Sequence, residues 1–340
     1  MNRWSRWVTL LLLLCLSACL SAFAKGKKPL RIYFIDVEGG QSTLVVTPAG
    51  KSVLIDTGFP GKANADRIVA AAKGAQIKKL DYVLITHYHP DHVGGVPDLM
   101  KQIKAGIFVD HGQNEENAPF TQASYANYEK AIAHSHRMTL KAGEGLPLKD
   151  ITFRLLVGAG EHISEPLPGA GVANRYCGSD VSGPEDKSEN AQSLGVLISY
   201  GRFQFLDLGD LPEKEELELM CPNNPIGTVD LYLATHHGAA FDNPKALVWA
   251  VKPRVAIMNN GAHKGGSPEA WQIVHDSPGL AGFWQLHYAV DAGADHNVKD
   301  DFLANLGDKD GYFLEVTAEA DGSFTIVNSR NGYTRKYGAE

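Results

Sequence analysis

Apolar residues come in short β-rich runs broken by turn residues. Residues 30–37 (LRIYFIDV), 42–47 (STLVVT) and 52–56 (SVLID) are separated by Gly-Gly and Pro-Ala-Gly turns, which predicts a three-stranded antiparallel start. Residues 63–75 place Ala and Ile on one face with Gly74 near the end, the signature of a helix. Strands are expected at 80–87, 106–111, 151–157, 194–200, 203–210, 229–238 and 254–260. Helical patterns fall at 96–103, 213–220, 246–251 and 267–275, and in part of the polar stretch 112–136. Residues 158–190 are rich in Gly, Pro, Ser and acids with little periodicity, as in a functional loop. The tail closes with strands around GYFLEVT and FTIVNS.

The alternation runs in two halves, each beginning with hairpins and moving to strand–helix units. That order predicts two mixed sheets face to face with helices outside, a four-layer αββα sandwich of the α/β (α+β) class. No linker divides the chain, so residues 25–340 are expected to form a single domain.

The first 24 of the 340 residues differ from the rest: Arg3 and Arg6 precede an uncharged run ending in small residues. This is the layout of a signal peptide and short for a membrane span. Ala22-Phe23-Ala24 fits simple cleavage, whereas Leu16-Ser17-Ala18-Cys19 resembles a lipobox that would anchor Cys19 to lipid. Either end makes the folded part periplasmic or secreted. No later apolar run is long enough to cross a membrane. Without residues 1–24, which carry two Arg and no acid, the net charge of −7 becomes −9 and 316 residues remain. Such a balance argues against an extended nucleic-acid surface. Beyond the signal the only cysteines are Cys177 and Cys221, either a staple between two loops or two independent thiols.

The chemistry concentrates after the strand at 80–87. His87, His89, Asp91 and His92 fall within six residues, followed by Gly94-Gly95. Imidazole and carboxylate are the ligands Zn²⁺ and similar ions prefer. Residues two apart on extended backbone project to one side, while Asp91 and His92 turn elsewhere, so one strand end can serve two adjacent metals.

The run T-H-x-H-x-D-H-x-G-G resembles the signature of the metallo-β-lactamase superfamily. Leu54-Ile55-Asp56-Thr57-Gly58, Leu206-Asp207-Leu208-Gly209-Asp210 and His236-His237-Gly238 resemble its later motifs, in the expected order. The last of these, with Phe34-Ile35-Asp36-Val37 and Gly39-Gly40-Gln41-Ser42, resembles the branch containing the extracytoplasmic domain of ComEC-type DNA-uptake proteins and stand-alone relatives. The likeness spans roughly 30–275.

The resemblance implies two divalent ions, Zn or else Mn or Fe. His87 and His89 would bind the first, Asp91, His92 and His236 the second, and Asp210 would bridge them. His237 would touch substrate or support a ligand, the order of the His pair being open. Asp91 and Asp210 could also orient the attacking water. Asp56 reads either as an orienting carboxylate or as a turn cap. The superfamily's third His for the first metal is absent; Glu189 or Asn190 could stand in, with His162 an outside candidate. His263 and Lys264 either reach the pocket mouth, Lys264 toward an anionic oxygen, or belong to a solvated turn. His111, His287 and His296 are expected to be structural or exposed, and Trp271 and Trp284 to be core.

The implied function is an exported hydrolase using hydroxide activated by the metals, with a phosphodiester or phosphate ester of a small or nucleotide-type anion as substrate. The alternatives are hydrolysis of a carboxylic ester, lactone, thioester or β-lactam, and a non-catalytic metal-binding module.

Overall fold

The computed structural model describes residues 28–178, 186–307 and 310–339. The expected export segment, with Cys15 and Cys19, lies outside the described residues. Two large sheets dominate. The first has the spatial order Thr334–Tyr337, Phe324–Asn328, Phe313–Ala318, Leu30–Ile35, Thr43–Val46, Ser52–Ile55, Lys79–Leu84, Lys104–Asp110, His136–Thr139. The second runs Leu303–Asn305, Gly282–His287, Val255–Met258, Leu231–Leu233, Phe203–Asp207, Gly195–Tyr200, Thr152–Gly158, Glu161–His162.

Each sheet is antiparallel where hairpins build it and parallel where helices connect it. Leu30–Ile35, Thr43–Val46 and Ser52–Ile55 are antiparallel neighbours, and the next three strands of that sheet add in parallel. The second sheet repeats this change: Thr152–Gly158, Gly195–Tyr200 and Phe203–Asp207 are antiparallel, and Leu231–Leu233 onward is parallel.

Alternation of side chains explains why the strands read as unbroken apolar runs. Ile32 and Phe34 point between the sheets, where they join Leu155, Val196, Phe205 and Trp284. Tyr33 and Ile35 point the other way, into a layer shared with the helix Lys62–Gly74. That helix buries Ala65, Ile68, Val69 and Ala72, the spacing of a single stripe. On the far side, Leu206 and Tyr232 pack with Leu219, Leu247 and Trp271 from the helices Glu213–Met220, Lys245–Val251 and Pro268–His275. The four-layer αββα architecture is therefore the one expected.

The differences from the expected elements have local causes. The strand expected to run to 87 ends at Leu84, because Thr86 gives its N–H and hydroxyl to Asp56 instead of to a neighbouring strand. The strand expected over 229–238 is limited to Leu231–Leu233, since both histidines after it turn left-handed. The helix expected at 96–103 is shortened to Val96–Leu99, and a separate one-turn helix, Pro90–Val93, precedes it, each with Pro in its first turn. Among the described residues, four strands of three residues or more lacked a sequence signal. Gly282–His287 buries polar Gln285 and His287, and His136–Thr139 and Thr334–Tyr337 are polar edge strands. Leu303–Asn305 is only three residues long.

The first sheet also reaches past the segment that carries the motifs. Phe313–Ala318 pairs with the first strand, Leu30 opposite Ala318. Trp284 and Trp271 are buried as expected.

Cys177 and Cys221 form a disulfide with Cα atoms 5.8 Å apart, joining the long loop to the end of Glu213–Met220. Closing a loop with a sequence separation of 44 stabilises by about 4 kcal/mol in the chain-entropy picture. The double substitution Cys177→Ser/Cys221→Ser is expected to lower the melting temperature by roughly 5–10 °C in calorimetry. An unchanged transition would contradict the link.

Candidate metal centre

The site lies where loops leave the strand ends of both sheets. From the first sheet come His87, His89, Asp91 and His92, just after Lys79–Leu84. From the second come Asp210, after Phe203–Asp207, and the His236-His237 turn after Leu231–Leu233. The backbone must approach closely here. A Cβ at Gly40 would sit 2.3 Å from the carbonyl oxygen of Asp91, so only glycine fits.

Asp91, His92, Asp210 and His237 present one ligand atom each within 4.8 Å of one another, all buried. Asp210 Oδ2 lies 3.1 Å from His92 Nε2 and 3.3 Å from His237 Nε2, and Asp91 Oδ2 lies 3.2 Å from His237 Nε2. Two imidazoles and two carboxylates converging on one point are a divalent-cation donor set. The structure thus brings His237, and not the expected His236, into this quartet. Both residues have positive φ, 52° and 55°. Two consecutive left-handed residues rotate the pair so that the second of them aims inward. This strain is the kind that persists only where the surroundings enforce it. Here Asn243 does so: its Oδ1 accepts from Thr235 N and its Nδ2 donates to Thr235 O, while Glu216 holds the Asn243 N–H.

His236 lies outside the quartet but near it. Its Nδ1 pairs with Asp242 Oδ2 at 2.6 Å, its Nε2 is 3.5 Å from Asp210 Oδ2, and its side chain is 28% exposed. His87 and His89 stand on the other side of His92, with the His87 ring centroid 4.1 Å from that of His92 and 4.7 Å from that of His89. Nδ1 of His87 faces the hydroxyls of Thr86 and Ser193, and its buried Nε2 has no partner. Glu116 takes Nε2 of His89 at 2.9 Å, which leaves Nδ1 for ligation. Asp210 Oδ1 is likewise buried and unpartnered. Buried polar atoms without a partner fit a bound cation better than a folded core.

Supporting carboxylates fix the rings. Asp56, fully buried, accepts from Thr86 N and Thr86 Oγ1 and pairs with His92 Nδ1 at 2.7 Å, so it orients a ligand as well as ending a strand. Glu189 is occupied elsewhere, accepting from Tyr88 N and Glu115 N and pairing with His111. His162 is exposed and bonded to the Ile163 carbonyl. His287 is buried against Asp36, and His296 packs edge-on against Trp271, so these two and His111 are structural. His263 is exposed beside Asp291, whereas Lys264 reaches Asp91 Oδ2. Glu116 and Asp242 escaped the sequence reading. Asp242 had a signal, a carboxylate six residues beyond His236, whereas nothing around Glu116 marked it.

Charge states follow the geometry. Burial would lower His92, but Asp210, Asp91 and Asp56 outweigh it and hold the ring well above the ordinary histidine range. His87, equally buried and facing His92, is held well below that range and is neutral. Burial would raise Asp91 and Asp210, yet the neighbouring cations keep both ionised. Asp207 is pushed up to about 7 by burial, against the hydrogen bonds from Gly209 and Gln41.

His92, held protonated by its carboxylate neighbours, must lose the proton on Nε2 before that nitrogen can bind a cation. A cation displaces it, and affinity therefore rises with pH. For each proton released, affinity is expected to weaken about tenfold per pH unit on acidification. Titration calorimetry in buffers of different ionisation enthalpy measures this release, and a pH-independent affinity would contradict it. Asp56→Asn is expected to cost about 10–100-fold in affinity in the same assay.

Comparison with known proteins agrees with this geometry. The sequence profile of the Metallo-beta-lactamase superfamily matches residues 35–181. ComE operon protein 3 of Bacillus subtilis is 24% identical over 270 residues, 74% of this chain and 30% of its own length. Recombination protein 2 of Haemophilus influenzae is 24% identical over 254 residues, 74% of this chain and 26% of its own length. The chain thus spans less than a third of these curated relatives. Atrochrysone carboxyl ACP thioesterase AgnL7 of Paecilomyces divaricatus is 33% identical, but over only 28% of this chain and 33% of its own. Among solved structures, Tm1679, described as a metal-dependent hydrolase of the beta-lactamase superfamily, aligns over 76% of this chain and 96% of its own. It does so at 16% identity with a TM-score of 0.44. The part of the chain that resembles the Metallo-beta-lactamase superfamily thus includes the His87–His92 cluster, and Asp210 and His237 complete the buried quartet from beyond it.

Proposed function

We propose that this chain is a hydrolase of the metallo-beta-lactamase superfamily that is exported and cleaves a phosphodiester or phosphate ester. The observation that carries the reading is the placement of Asp210. One of its oxygens faces His92 and His237, and the other is buried without a partner. A carboxylate so placed can serve two cations at once, as in-line displacement at phosphorus favours. Divalent ions held there supply Lewis acidity and a water of lowered pKa.

The chain's own residues do the rest. Asp56, Glu116 and Asp242 fix the rings of His92, His89 and His236 through the nitrogen facing away from the centre. Lys264, against Asp91 and with Nζ 5.2 Å from the Phe59 ring centroid, is a mobile-stemmed cation at the rim that can turn to an anionic substrate oxygen. His236, partly exposed and gripped by Asp242, is placed to hydrogen-bond the leaving oxygen. Export is supported by the Arg3/Arg6 and apolar layout of residues 1–24 and by the Cys177–Cys221 disulfide, since such bonds persist in oxidising compartments. Among the described residues no helix is long and apolar enough to cross a membrane. The net negative charge favours a small or nucleotide-type substrate over extended nucleic acid.

A second reading, hydrolysis of a thioester, carboxylic ester, lactone or β-lactam, draws on the short segment shared with the thioesterase AgnL7. A substrate panel separates the two: bis-p-nitrophenyl phosphate, an acyl thioester, a lactone and a cephalosporin. The phosphodiester is expected to turn over fastest; faster turnover of an acyl substrate selects the second reading. Asp91→Ala and Asp210→Ala are each expected to reduce turnover by at least about 10²-fold. Full activity in either variant would exclude the mechanism.

A further inference from the structure

The ligand set on the His87 side lacks the superfamily's third histidine, and a short turn occupies that place. The turn Asn190–Gln192 ends at Ser193. Ser193 Oγ lies 3.4 Å from His87 Nδ1 and accepts from Asp210 N at 3.3 Å, so the turn is seated against both flanks of the first site. Within the same turn, Asn190 Nδ2 lies 3.5 Å from His236 Nε2, and Asn190 Oδ1 is buried with no partner. His87 Nε2 and Asp210 Oδ1 are unpartnered in the same way. A carboxamide oxygen, an imidazole nitrogen and a carboxylate oxygen thus lie unpaired on three adjoining segments. A buried polar atom without a partner is destabilising. Asn190 Oδ1 and the ionised Asp210 Oδ1 are both acceptors and cannot satisfy each other by hydrogen bonding. A cation can satisfy both.

The other candidates for the missing ligand are committed elsewhere. Glu189 is spent on Tyr88, Glu115 and His111, and His162 is exposed on Ile163. We propose that Asn190 Oδ1 is a ligand of the first metal ion, beside His87, His89 and Asp210, and that the centre is therefore asymmetric. This rests on the metal-centre reading above. The second site offers two imidazoles and two carboxylates. The first exchanges an imidazole for a neutral oxygen, which binds Zn²⁺ more weakly and suits a harder ion such as Mn²⁺. Asn190 also places its Nδ2 toward His236, so the same side chain ties the first site to that residue.

The test is metal binding itself. Chelator-stripped full chain is titrated with Zn²⁺ and with Co²⁺, followed by metal counting after gel filtration and by the cobalt d–d spectrum. The wild type is expected to keep about one Zn²⁺ through gel filtration and to bind a second at least about tenfold more weakly. Asn190→His is expected to keep about two. Asn190→Ala is expected to weaken the second equivalent by about tenfold or more and leave the first unchanged. Asn190→Asp, nearly isosteric, is expected to tighten it, and decides the matter if the alanine variant folds poorly. An identical second-equivalent affinity in all three variants, or two tight equivalents in the wild type, overturns the proposal. Failure of the underlying reading looks different: no tight Zn²⁺ in the wild type, or a first equivalent that survives Asp91→Ala.

Discussion

The carboxylate of Asp56 is the constraint on which the rest of the centre hangs. It sits at φ 60°, fully buried, at the end of the strand Ser52–Ile55. Burying an ionised carboxylate is costly unless every lone pair finds a donor. Here one oxygen takes Thr86 N and the other takes Thr86 Oγ1 and His92 Nδ1. The bonds to Thr86 stop the neighbouring strand at Leu84 and begin the loop that carries the ligands. The bond to His92 fixes the direction in which that imidazole points. Strand termination and ligand orientation are thus one interaction.

The same logic is repeated with different parts. Glu116 holds His89 by Nε2, Asp242 holds His236 by Nδ1, and His87 relies on the hydroxyls of Thr86 and Ser193. Carboxylate partners raise the basicity of an imidazole, and hydroxyl partners do so less. His87 is thereby supported less strongly than His89 beside it. The Asp91–His92–Asp210–His237 side is supplied with more negative charge and deeper burial. The buried Asn243–Thr235–Glu216 network does for the second sheet what Asp56 does for the first, holding a strained turn in the single arrangement that aims His237 inward.

Much of this was legible in the residues. The spacing of His87, His89, Asp91 and His92, the Gly-Asp ending at Asp210 and the His-His-Gly run carried the chemistry. The period-two and period-3.6 patterns carried the four layers. What the residues could not carry was direction. Whether His236 or His237 turns inward depends on two left-handed backbone conformations that no side-chain pattern announces. Glu189 and Asn190 were equally plausible substitutes until tertiary contacts spent Glu189 on His111 and two backbone N–H groups. The strand Gly282–His287 was hidden because Gln285 and His287 occupy core positions, satisfied by Trp271, Val298 and Asp36 rather than by apolar packing. The edge strands were hidden for the opposite reason, since half-exposed strands keep polar residues that read as loop.

The position of Leu30–Ile35 in its sheet has a kinetic meaning. On one side it pairs with Thr43–Val46, its neighbour in sequence; on the other it pairs with Phe313–Ala318, nearly the whole chain away. Leu30–Ile35 therefore carries an open row of backbone donors and acceptors until Phe313–Ala318 pairs with it. Closing that gap requires the longest-range contact in the sheet, the kind that slows folding and leaves the chain exposed to wrong partners meanwhile. The strand Phe313–Ala318 is thus the latch that completes the first sheet around Leu30–Ile35.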